Sequence, residues 1–200
     1  MNVVHKFALK AADIHHRYTA VLESVFKRSQ NRRWEKVAAG GRPPWDYRNM
    51  KIASYIPEKS LVLDLGCGAR TLEGYLAAGC VYQPCDLIKS SSEVIVCDFN
   101  AGVFPKLDQK YTHVVCSGVL EYIRDHESFL KQCALLGDTI ILSYNTFVPG
   151  NTKIQRMSNH WINHFSQSSL EDIFLRIGFN INRLHITDSG EAIYQLNYQS

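Results

Sequence analysis

The 200-residue chain has little that would mark a membrane, secreted or metal-built protein. No apolar run approaches the ~18 residues a transmembrane helix needs, so no membrane span is expected. The N-terminal stretch is interrupted by Lys6, Lys10, Asp13, His15 and His16, and no signal-peptide core is expected there. Six cysteines, at 67, 80, 85, 97, 116 and 133, include no Cys-x-x-Cys pair and no zinc spacing. That excludes zinc ribbons, and no metal is expected. Several of the cysteines fall in apolar runs and read as buried thiols of a reducing, cytoplasmic protein. There is no internal repeat and no low-complexity tract. With 46% hydrophobic and 20% charged residues, composition excludes disorder and coiled-coil-only architectures. A chain of this length suggests one domain able to bury a core without staples.

Charge is present but uneven. The net charge of +3 conceals a basic N-terminal third. Its densest stretch runs from Lys27 to Lys36, five cations around Trp34. It reads either as a solvated helix end or as a surface for an anionic partner. Val4, Phe7, Ala11, Ile14, Tyr18, Val21 and Val25 recur at intervals of three and four, which predicts a helix reaching about residue 28. Its apolar face would pack on the protein's own body or, as a homodimer contact, on a second copy. Gly40-Gly41-Arg42-Pro43-Pro44 breaks the chain, dividing an N-terminal helical segment (1–44) from the main domain (45–200). A short helix from Trp45 to Ile56 should follow, ending at Pro57.

From residue 61 short apolar runs alternate with helical stretches. Strands are expected at 61–65, from Val81 to near Asp86, at 93–97, 111–116 and 139–143, with helices at 71–78 and 125–135. That alternation implies a doubly wound, mostly parallel sheet covered on both faces. The end differs: an amphipathic helix from Ser166 to Ile177 is capped by Gly178, then two runs flank Asp188-Ser189-Gly190 as an antiparallel hairpin. Five parallel strands and the hairpin make seven.

Leu61-Val62-Leu63-Asp64-Leu65-Gly66-Cys67-Gly68 is a strand feeding a Gly-x-Gly turn, where the missing Cβ atoms admit a ligand to the backbone. Thr71 stands where a dinucleotide fingerprint wants glycine or alanine, and Asp64 would repel a pyrophosphate. The segment resembles motif I of the class I S-adenosylmethionine-dependent methyltransferases. Asp86 follows Asp64 by 22 residues and Asp98 ends the third strand. The resemblance implies S-adenosylmethionine as cofactor. Asp64 would hold its ammonium group, the turn Gly66, Cys67 and Gly68 would pass beneath its amino-acid end, and Asp86, with Leu87, would accept from its ribose hydroxyls. Asp98 and the Phe99 N–H would meet the adenine, and Ser117 and Gly118 would line the methionine portion. Ala69-Arg70 replaces a further family glycine, and His113 stands where the family often has Asp.

Methyl transfer needs alignment more than a catalytic group. No Asn/Asp-Pro-Pro-Tyr/Phe segment follows the fourth strand, which argues against adenine N6 or glutamine methylation. His160 and His164, at i and i+4, would share a helix face and could deprotonate a hydroxyl; Glu121 and His126 are further base candidates. Tyr144 and Asn145 could orient the acceptor, and Trp34 and Trp45 could wall a pocket. These readings favour O-methylation of a small polar or anionic molecule, such as a sugar or a phosphorylated or nucleotide-linked metabolite. An RNA methyltransferase using its basic arm and a non-catalytic cofactor-binding subunit are the alternatives.

Overall fold

The computed structural model describes residues 14–15, 17–22, 34–35, 45–187 and 190–199. Helix α1 (Asp46–Ala53) precedes five strands, β1 (Leu61–Leu65), β2 (Val81–Asp86), β3 (Ile95–Val96), β4 (Tyr111–Ser117) and β5 (Gly137–Asn145). Helix α2 (His126–Leu136) joins β4 to β5, and α3 (Lys153–Met157) and α4 (Gln167–Arg176) lead into the hairpin β6 (Phe179–Ile186) and β7 (Glu191–Tyr198). The seven strands form one sheet in the order β3-β2-β1-β4-β5-β7-β6. The first five pair in parallel, and β7 enters antiparallel between β5 and β6. The expected doubly wound, seven-stranded sheet with its terminal hairpin is what the chain builds.

Strand alternation sends side chains to two cores. Leu63, Val114, Ile140 and Leu142 face α2 and α4 together with Phe129, Leu130, Leu170 and Phe174. Val62, Val115, Ile141 and Ile193 face the other way, against Ile52, Ala53 and Leu72. Side-chain caps hold the helix starts: Asp125 accepts from Ser128 N (3.0 Å), and Ser166 accepts from Ser169 N (3.2 Å). Gly178, at φ +97°, ends α4 as expected. All six cysteines are free thiols, five of them buried; Cys116 and Cys133 lie Sγ to Sγ at 3.7 Å across the larger core.

Three expectations change. The helix expected at 71–78 is a single 3₁₀ turn, Thr71–Tyr75. Arg70 enters it in the left-handed conformation with no side-chain cap, and its C-cap, Leu76, is already extended. Helix α1 covers that face instead, through Asn49 Nδ2 to Thr71 Oγ1 (2.6 Å) and Tyr75 OH to Asp46 Oδ1 (2.9 Å). The third strand shrinks to two residues: Pro84 of β2 has no N–H to extend the ladder, and the Gln83 side chain donates to Glu93 O instead (3.0 Å). In the N-terminal helix, residues 14–15 and 17–22 are helical, but Ile14 and Tyr18 of the expected packing face are exposed. Ala20 is the fully buried position, roughly 200° round the helix from Tyr18. Val4, Phe7, Ala11 and Val25, the 40–44 break and the basic stretch other than Trp34 and Glu35 lie outside the described residues.

Candidate active site

The strand order reverses between the parallel neighbours β1 and β4, and a cleft opens there beyond the carboxyl ends of the strands. It has about 910 Å³ of empty space, part of it open to solvent.

One wall comes from the strand ends. After β1 the chain turns through Gly66 at φ +87° and Gly68 at φ +52°. Gly66 N and Cys67 N both donate to Cys85 O, at 2.8 and 3.0 Å, tying the turn to β2. A Cβ on Gly66 would lie 2.4 Å from Val119 Cγ2, and one on Gly118, at φ +66°, would lie 2.8 Å from Arg48 Nη1. Both positions require glycine by close approach as well as by conformation. Asp86 is buried at the end of β2, its Oδ2 accepting from Gly68 N (2.8 Å) and its Oδ1 from Ile88 N (3.1 Å). A carboxylate has about four acceptor sites, so two remain for hydroxyl donors. Asp98 caps the 3₁₀ turn Phe99–Ala101 through Oδ1, which accepts from Asn100 N and Ala101 N at 3.1 and 3.2 Å. Its Oδ2 meets no protein donor among the described residues. Gly66, Gly68, Asp86, Leu87, Asp98, Phe99, Ser117 and Gly118 all line the cleft, as expected.

Asp64 and Cys67 do not. Asp64 alternates to the same face of β1 as Val62, beneath the turn, where the Tyr82 hydroxyl donates to its Oδ2 (2.6 Å). Its Oδ1 is buried with no partner among the described residues. Burial pushes the carboxyl up to about 7, with the Tyr82 hydrogen bond opposing, Asp86 adding and Arg48 opposing. The Cys67 side chain is buried, and burial raises its thiol well above the ordinary range; only its backbone serves the turn.

Much of the remaining lining is aromatic: Trp34, Trp45 and Tyr122, with Ile123, His160 and Ile162. Trp34 meets Tyr122 edge to face, with ring centroids 4.8 Å apart. The Tyr122 hydroxyl accepts from Trp161 Nε1 at 3.1 Å. Both tryptophans line the cleft.

The histidines part company. The chain is not helical past Met157, and His160 sits at φ +64°, so the two rings share no helix face. His160 is buried and lines the cleft. His164 points away, its Nδ1 accepting from Arg156 Nε at 3.3 Å, and burial lowers its pKa, helped by Arg156 and Lys153. Glu121 does not line the cleft either. Its Oε1 accepts from Asn145 N (2.9 Å) and Asn145 Nδ2 (3.1 Å), while its carbonyl accepts from Ile162 N (2.9 Å). Burial raises its carboxyl, the Asn145 backbone hydrogen bond opposing. Glu121 is a strut between β5 and the 160s loop, and Asn145 is its partner. His126 packs its ring against Phe165, 4.8 Å away. Tyr144 is fully buried, its hydroxyl accepting from Phe165 N (3.0 Å) and Arg156 Nη2 (3.1 Å), so it does not face an acceptor.

Sequence reasoning missed Arg48, Asn49 and Arg156. From α1, buried Arg48 pairs with Glu191 (2.9 Å) and lies over the Trp45 ring (4.8 Å). Asn49 bridges Thr71 and the Ser117 hydroxyl (3.4 Å). Trp45, Arg48 and Asn49 stand at i, i+3 and i+4, a spacing that could have marked one helix face on the site. Arg156 is the hub of the 146–165 segment. It is buried and donates to Thr146 O (3.2 Å), Tyr144 OH (3.1 Å), Asn163 O (3.1 Å) and His164 Nδ1 (3.3 Å), with its guanidinium over the Trp161 ring at 4.6 Å. No local pattern announces it beyond the Thr152–Gln155 capping box that starts its helix.

Glycines at the reversal of strand order, an acid ending β2 and an acid just after β3, with acceptor capacity to spare, share one cleft. The family model described as "Methyltransferase domain" matches residues 42–184, and the chain belongs to the S-adenosylmethionine-dependent methyltransferases. Solved structures share the fold. A chain in the complex between the Haloferax volcanii Trm112 methyltransferase activator and a putative methyltransferase aligns at TM-score 0.66 and 16% identity, covering 84% of this chain and 98% of that one. A SAM-dependent methyltransferase from Aquifex aeolicus aligns at TM-score 0.63 and 11% identity, covering 86% and 100%. The O-methyltransferase NcsB1 of neocarzinostatin biosynthesis aligns at TM-score 0.59 and 20% identity, covering 74% of this chain and 52% of its own, so this chain spans about half its length. No curated protein sequence matches the chain. Among the described residues no helix is long and apolar enough to cross a membrane, and no cluster of side chains is suited to a metal ion.

Proposed function

We propose that the protein transfers a methyl group from S-adenosylmethionine to a hydroxyl of a small-molecule acceptor. The observation that carries this reading is that His160 shares one cleft with Gly66, Gly68, Asp86 and Asp98. Asp86 offers its two remaining acceptor sites to the ribose hydroxyls. Asp98 Oδ2 and the Phe99 N–H suit the adenine edge. Ser117 and Gly118 border the methionine portion, and Asp64 acts on it from beneath the turn by charge. When bound, the cofactor supplies an electrophilic methyl, whose carbon–sulfur pair stays on sulfur as the acceptor oxygen forms the new bond. His160 takes the hydroxyl proton, and the 146–165 segment, pinned by Arg156, holds it at the cleft.

Calorimetry with S-adenosylhomocysteine and a tritiated-methyl screen against separated nucleic acid, protein and small-metabolite fractions test this. Saturable binding and label in the small-metabolite fraction are expected. His160→Asn keeps a residue that tolerates a left-handed φ and removes the base. It should cut turnover by about 10²–10⁴ and leave S-adenosylhomocysteine affinity unchanged. Label entering only RNA, with steep salt dependence, would overturn the acceptor assignment.

A further inference from the structure

Resting on the methyltransferase reading, we propose that the acceptor is a planar, uncharged aromatic alcohol, held between Trp34, Trp45 and Tyr122 with its hydroxyl toward His160. Three aromatic rings, of Trp34, Trp45 and Tyr122, and two isoleucines line the same cleft as the glycine turn. The rings are held before any ligand arrives. Trp34 is braced edge to face by Tyr122, Trp45 has Arg48 over its ring, and the Tyr122 hydroxyl is engaged by Trp161, so Tyr122 presents ring rather than hydroxyl. Flat π-surfaces fixed in this way favour a flat partner and give a puckered sugar few hydroxyl contacts.

Charge narrows the class further. Asp86 and Asp98 line the cleft, and among the described residues no lysine or arginine does. Of the nearby guanidiniums, Arg48 pairs with Glu191 beneath Gly118 and keeps a buried Nε with no partner among the described residues, and Arg156 is tied into the 146–165 segment. A phosphate or carboxylate on the acceptor would shed water beside two carboxylates, and among the described residues lining the cleft there is no lysine or arginine to receive it. One polar side chain, His160, stands among the rings and isoleucines, and it is placed to receive the single hydroxyl proton.

Calorimetry on full-length protein saturated with S-adenosylhomocysteine separates the possibilities, with 2-naphthol, 2-naphthyl phosphate and glucose as probes. The expected result is saturable 2-naphthol binding, with the phosphate and glucose weaker by about tenfold or more. Trp34→Ala and, independently, Tyr122→Leu should each weaken 2-naphthol by about tenfold while leaving S-adenosylhomocysteine affinity within about twofold. Phosphate binding as tight as 2-naphthol, or 2-naphthol affinity unmoved in both variants, would overturn the inference. Failure of S-adenosylhomocysteine itself to bind would bring down the methyltransferase reading and this inference with it.

Discussion

Asp64 holds its carboxylate beneath the glycine turn, where burial raises it to about 7 from 3.8. Between those values the folded chain binds a proton that the unfolded chain has released. Asp64 therefore favours folding at low pH, and this contribution is lost as pH rises to about 7 and beyond. Asp64→Asn removes the titration. Its melting temperature relative to the parent should rise between pH 5 and pH 8, by about 2–4 °C per kcal/mol for a chain of this size. Thermal melts across that range check it; a constant difference would contradict the buried acid. Because the ionised form is the one that attracts a cation, parent affinity for S-adenosylmethionine should also strengthen above pH 7, and the variant should lose that dependence. At Gly66 the argument is steric. Gly66→Ala sets a methyl against Val119 and a side chain at φ +87°, at a cost of about 1–3 kcal/mol by urea denaturation. Adding Val119→Ala should recover the steric part and leave the backbone strain.

At the scale of elements, the 146–165 segment depends on one buried cation. Arg156 has neutral oxygens and a ring nitrogen for partners and, among the described residues, no carboxylate. Arg156→Met leaves two carbonyls and the Tyr144 hydroxyl short of donors, with an expected loss of about 2–3 kcal/mol in denaturant titration. His160 hangs from the same segment, so KM for the acceptor should rise, while S-adenosylhomocysteine affinity stays within about twofold because the glycine turn is untouched. A change confined to cofactor affinity would show that the segment serves the other wall. Helix α1 shows how an element can be foreseen and its purpose missed. Its apolar residues mark it as a helix, but only packing on the Thr71–Tyr75 turn brings Arg48 and Asn49 under the site.

For the molecule as a whole, the N-terminal third reaches the cleft through Trp34. Deleting residues 1–40 should leave S-adenosylhomocysteine affinity within about threefold and weaken acceptor binding by about tenfold or more, as removing a central aromatic anchor does. Equal loss of both ligands would make the segment a general support. Outside the cleft, Ile14 and Tyr18 are exposed although their spacing promised a packed face. Periodicity reports that a face is apolar, and what lies against it is decided elsewhere.

The line between local and tertiary information runs through single residues. Asp86, Asp98, Gly66, Gly68 and the Ser117–Gly118 turn were legible because strand length and turn chemistry repeat in chain order, and a parallel sheet puts successive strand ends on one edge. His164 and Glu121 were misjudged because a base candidate is recognised by residue type, whereas access to the cleft depends on one left-handed residue, His160, and on a strut to Asn145. Order along the chain therefore determined the sheet, the turn and the proposed nucleoside end of the site. The proposed acceptor side was decided only in three dimensions, because its lining comes from around residues 34, 45, 122 and 160, and no local pattern carries the distance between them.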